Sequence, residues 1–92
     1  MNSATILRVN GETEQLDHKP SLEEAQSAVK GYVEALTVVD RKDGKRKQML
    51  VNEEGAIRGL HVNMRATYDY THMHGQARVI VGDVVILEGW RF

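Results

Sequence analysis

The stretch Arg78–Leu87, RVIVGDVVIL, is the most hydrophobic in the chain. Its Val and Ile residues favour extended backbone, where β-branched side chains pack well. A near-continuous apolar run of this kind marks a strand covered on both faces, at the centre of a sheet. Gly82-Asp83 interrupts it, so it reads as one bent strand with a bulge at Gly82 or as two short strands at a turn. A central strand needs partners on either side, and the rest of the sequence supplies them.

Thr5–Val9, Asn10-Gly11 and Glu12–Asp17 read as a hairpin, because Asn-Gly is a strong two-residue turn signal. Pro20–Glu24 opens a helix. Ser21 and Glu24 have the spacing of a capping box, and Leu22, Ala25, Ala28 and Val29 form one apolar stripe. Gly31 suits the position past the helix end, and Lys30 favours the negative end of its dipole. Tyr32–Asp40 (YVEALTVVD) and Gln48–Asn52 (QMLVN) form a second hairpin, with Asp43-Gly44 as its turn. Asn52–Gly55 is a further turn, with Gly55 free for positive φ, and Ala56–Leu60 reads as a short strand. Val62–His74 fits two templates. Asn63 could cap a helix, while Tyr68, Tyr70, His72 and His74 alternate as on a strand. The order β-β-α-β-β-β-(α)-β predicts an α+β fold, a mainly antiparallel sheet with one or two helices packed on it.

The chain has 92 residues, which suits a single domain over 1–92. Lys and Arg number 12 against 13 Asp and Glu. Nearly half the residues are apolar or Gly, an ordinary globular fraction. With no cysteine, disulfides and thiolate chemistry are excluded. No apolar run is long enough to span a bilayer, and the N-terminus lacks a signal-peptide pattern. The expectation is a cytoplasmic protein without a membrane partner. A core this small favours oligomerisation.

The basic run Arg41–Lys47 carries five cations and one anion in seven residues. Arg41, Lys45, Arg46 and Lys47 are candidate phosphate contacts. The competing reading is a solvated hairpin tip that blocks edge pairing. The chain is slightly acidic and the run has no aromatic neighbour, so a small anion fits better than duplex nucleic acid. His72 and His74 could donate two imidazoles, but zinc needs three or four ligands, and His18 and His61 stand at no diagnostic spacing. No metal or cofactor is expected. Glu53-Glu54 are adjacent, whereas paired acid–base carboxylates must flank one bond. Ser3, Ser21 and Ser27 lack a nucleophile context, and no Gly-rich phosphate loop occurs. Asn63, Arg65 and Thr67 can bond a phosphate, base or ribose, with His61 beside them. Tyr32 and Tyr68 could stack on a planar ligand. Capping by Asn63 and packing by the tyrosines are the structural alternatives.

Read in order, Ala25–Leu36 (AQSAVKGYVEAL), Leu50–Gly59 (LVNEEGAIRG), the segment Leu60–Thr67 with Asn63, Ala66 and Thr67, and Val79–Leu87 (VIVGDVVIL) resemble a family of small proteins with a domain of unknown function, numbered 3846. The resemblance spans roughly residues 5–88. It implies a bacteriophage setting, in the cytoplasm of an infected bacterium, and no established reaction. The expectation is a non-enzymatic, homo-oligomeric binding protein that acts against host defence by sequestering a small anionic ligand of the cyclic-nucleotide type. Arg65 would pair with phosphate, Asn63 and Thr67 would hydrogen-bond, and Tyr32 or Tyr68 would stack. The alternative is a direct inhibitor of a host protein, using the hairpin tip and Trp90-Arg91-Phe92, residue types common in interface hot spots.

Overall fold

A computed structural model describes residues 2–40, 43–55, 57–75 and 78–92. The order among them is β1 (Ser3–Leu7), β2 (Thr13–Leu16), α1 (Leu22–Val29), β3 (Val33–Val39), β4 (Arg46–Asn52), α2 (Met64–His74) and β5 (Val84–Glu88). The strands make one five-stranded sheet, β2-β1-β5-β4-β3. All its pairings are antiparallel. This is the expected α+β domain. The last strand lies at the centre, where Val84, Val85 and Leu87 are all buried.

Alternation along the strands divides the core in two. Ala4, Ile6, Leu50, Val85 and Leu87 meet Ala25 and Val29 of α1 on one face. Leu7, Val38, Met49, Val51 and Val84 meet Ala66 of α2 and Ile80 on the other. The sheet is therefore sandwiched between two helices.

The local signals explain most boundaries. The first hairpin closes with Arg8 N–H donating to Glu12 O and Gly11 N–H to Arg8 O, both at 2.9 Å. The capping box of α1 is present in both directions between Ser21 and Glu24. Asn63 caps α2, which settles the ambiguous segment as a helix. No helix among the described residues is long and apolar enough to cross a membrane.

Several expectations need correction. Leu22 points to solvent, 52% exposed, so the stripe of α1 narrows to Ala25, Ala28 and Val29. The left-handed residue at its end is Lys30 (φ 64°), not Gly31. Gly31 is needed for closeness instead, since a Cβ there would stand 2.7 Å from Asn52 Nδ2. Gly55 also avoids positive φ. Its Cβ would meet Val81 Cγ2 at 2.5 Å. Residues 57–59 form turns rather than a strand, because their backbone bonds close locally, Arg58 N–H onto Glu54 O and Leu60 N–H onto Gly55 O. Ala56 lies outside the described residues. Arg78–Leu87 becomes an isolated bridge, Val81 opposite Val62, followed by β5 after a turn at Gly82 (φ 81°).

Asn63 ties the two halves of the molecule together. Its Oδ1 accepts from Ala66 N–H at 3.2 Å, and its Nδ2 donates to Leu7 O at 3.1 Å and Gly82 O at 3.0 Å. One buried side chain thus fixes the start of α2 against the end of β1 and the approach to β5. Asn63→Ala removes a cap and strands two buried carbonyls, so it should cost about 3 kcal/mol in urea unfolding. A loss below about 1 kcal/mol would contradict this role.

Candidate functional site

The helices leave part of each sheet face uncovered, and each uncovered part is a cleft. On the α2 face the cleft is about 290 Å³, with Ser3, Thr5, Thr13 and Gln15 on the sheet beneath it. Its walls carry Asp40, Asp69, Glu88, Lys47 and Arg65. Lys47 Nζ is 2.7 Å from Asp40, 2.9 Å from Asp43 and 3.3 Å from Glu88. Burial pulls the Lys47 ammonium towards its neutral form, but the hydrogen bonds to Asp40 and Asp43 outweigh it and raise its pKa above the ordinary value. Lys45 bridges Glu88 at 3.4 Å. The carboxylates here outnumber the cations, and Lys47 is already neutralised. An added phosphate would meet net repulsion.

On the α1 face, towards the start of the helix, the cleft is about 220 Å³. Thr37 of β3, Gln48 of β4 and Leu87 of β5 lie beneath it, and the segment Gly89–Arg91 forms its side. Trp90 packs against the α1 half of the core. Phe92 N–H donates to Gln48 Oε1 at 2.6 Å, which holds the tail across β4. Arg46 and Arg91 both line this cleft, and no carboxylate does among the described residues. Neither guanidinium has an ion-pair partner among the described residues. Two uncompensated guanidiniums beside an indole can pair with an anion bidentately and present a flat face for stacking.

The candidate residues read from the sequence do not converge. Asn63 is buried and fully engaged. Thr67 exchanges hydrogen bonds with the backbone of Ile80, 2.9 Å from its N–H and 3.3 Å from its O. His61 is exposed, with its carbonyl accepting from Gly82 N–H. Arg65 lines the carboxylate-rich cleft. Tyr32 is exposed beside the end of α1, in a hollow with Gln26, Gly31 and Arg58. Tyr68 stands half exposed on α2. Asn63, Arg65, Thr67, His61, Tyr32 and Tyr68 line no common cleft among the described residues. Alternate residues splay apart on a helix, where on a strand they would share a face.

Among the basic residues, Arg41 lies outside the described residues. Arg46 and Lys47 belong to β4 rather than to a hairpin tip. As strand neighbours they point to opposite faces, Lys47 into its carboxylates and Arg46 into the cationic cleft. Arg91, Trp90 and Gln48 join Arg46 only through the fold. The sole signal for them in the sequence is the Trp-Arg-Phe end of the chain.

The histidines are engaged separately. His18 bonds Asp17 at 2.6 Å and Glu24 at 2.8 Å, which raises its pKa, Asp17 the more strongly. His74 Nε2 donates to Thr37 O at 2.9 Å, and its ring stacks on Tyr70. Among the described residues no group of three or more His, Cys, Asp or Glu is placed to hold a metal ion.

A family model described as a domain of unknown function, DUF3846, matches residues 2–90. No curated protein and no solved structure matches the chain.

The two arginine and lysine neighbours should behave oppositely. Lys47→Ala should lower stability by about 3 kcal/mol, because it leaves Asp40 buried beside two further carboxylates. Arg46→Ala should change stability by no more than ~0.5 kcal/mol. Thermal unfolding of both variants checks the assignment, and equal losses would refute it.

Proposed function

The chain belongs to the DUF3846 family, a domain of unknown function, and from that premise we propose that it is a non-enzymatic binding protein that sequesters a small anionic ligand of the nucleotide type. One observation carries the reading: Arg46 and Arg91 line one cleft with no carboxylate partner among the described residues. Both arginines are exposed on the same cleft, and a phosphate there would meet two positive charges with no competing carboxylate. Trp90 supplies a face for a base, and Thr37 and Gln48 supply polar contacts. Charge balance turns an anion away from the α2-side cleft and towards this one. The volume, about 220 Å³, is below the usual range for drug-sized ligands, roughly 300–1,000 Å³. It suits the phosphate-bearing part of a nucleotide. The cleft is built within one chain, so the proposal does not depend on oligomerisation. In the bacteriophage setting that the resemblance implies, such a protein would act as a sink for a host signalling nucleotide.

Direct inhibition of a host protein is the second reading. It is favoured by Met64 and Tyr68, one turn apart on α2 and each about half exposed. It would show as a stoichiometric partner that co-purifies with the wild type and is lost in Tyr68→Asp.

Thermal shifts against linear and cyclic nucleotides test the first reading. A ligand at a hundredfold excess over its Kd adds about 2.7 kcal/mol of apparent stability. At least one nucleotide should do so and be recovered unchanged. Arg46→Ala should weaken it about tenfold or more, the loss expected for a charge-assisted contact. A flat panel, or an unaffected Arg46→Ala variant, would contradict the reading.

A further inference from the structure

We propose that the ligand of the cationic cleft is a short single-stranded oligonucleotide rather than a lone nucleotide. This deepens the reading above and rests on it.

The cleft does not end at Arg91. Phe92 is 40% exposed, and Lys19 Nζ lies 5.8 Å from the centroid of its ring. Phe92, Lys19 and Pro20 line an adjoining open hollow with Ser21 and Leu22 at the start of α1. Lys19 has no ion-pair partner among the described residues. A cation-and-ring unit, Arg46 and Arg91 with Trp90, is thus followed by a second one, Lys19 with Phe92. Trp90 and Phe92 are two residues apart, at most about 7 Å along the chain. A single base can occupy one of these rings, and a strand with splayed bases can occupy both. Cations that follow a backbone beside rings that take its bases are the pattern of single-strand binding without sequence preference.

The limits of the strip define its ligand. Glu23 and Glu24 in the first turn of α1 stop the positive surface at one end. At the other it ends with Arg46, the first residue of β4. A duplex needs a wider basic face, and the whole chain carries a net charge of -1. Gln48 has its Oε1 occupied by Phe92 N–H, which leaves little to read a base edge. The expected ligand is therefore short, single-stranded and loosely specified in sequence.

Trp90 is the only tryptophan of the chain, so its emission reports occupancy of the first unit directly. The probes are AMP, labelled single-stranded deoxyadenosine oligomers of about four nucleotides, and a hairpin duplex of the same composition. AMP and the oligomer should both quench Trp90. By anisotropy and quenching the oligomer should bind about tenfold tighter or more, since each added stacked base contributes substantially. Three phosphate contacts should give a log–log salt slope of about −2. Lys19→Ala and Phe92→Leu should each bring the oligomer towards the affinity of AMP, and Phe92→Leu keeps the apolar packing of the tail. Equal affinities for AMP and oligomer would overturn this inference and leave the site reading standing. A duplex bound as tightly as the single strand would also overturn it. No quenching by any probe would overturn the site reading and this inference together.

Discussion

A helix rises about 1.5 Å per residue, so α1 is roughly 12 Å long and α2 roughly 16 Å. Five strands about 4.8 Å apart set the outer two about 19 Å from each other. Two short helices on such a sheet cannot cover both faces. α1 takes the face above β4, β5 and β3, and α2 lies along the β3 side of the other. The rest of each face must be closed by something else or remain a cleft. Both clefts follow from this shortage of helix. Asn63 fixes where α2 begins, and so which half of its face stays open. The tail Gly89–Phe92 crosses the other face and turns open sheet into a bounded cleft.

The two open regions solve the same electrostatic problem differently. On the α2 side two described cations are answered: Lys47 by Asp40, Asp43 and Glu88, and Lys45 by Glu88. Such networks hold a hairpin in register but offer an anion nothing. On the α1 side Arg46 and Arg91 meet no carboxylate. The difference arises from one step along β4, because residues 46 and 47 project to opposite faces. The basic run is therefore two things at once, a structural ion network and the cationic wall on which the proposed function rests.

Local chemistry was legible in the sequence. The capping box of Ser21 and Glu24, the Asn63 cap, the Asp43-Gly44 turn and the central position of β5 each follow from residues close together in the chain. What failed depended on partners. Ile57 looks like a strand residue, yet its segment finds no ladder and closes on itself. Leu22 fits the stripe of α1 by spacing but falls beyond the edge of the surface that α1 covers. Asn63, Arg65 and Thr67 form a cluster only if the segment is extended, and the helix disperses them. Arg46 was visible as a basic residue. Its company, Trp90 and Arg91, lies more than forty positions away, and only sheet pairing between β4 and β5 brings them together.

The central claim is that an anionic ligand enters the α1-side cleft and not the larger cleft opposite. Mapping backbone amide shifts by NMR during titration with AMP tests it most directly. The account predicts changes at Thr37, Arg46, Gln48 and Gly89–Arg91, with little change at Thr5, Gln15 or Arg65. Changes centred on Thr5, Gln15 and Arg65 would contradict it.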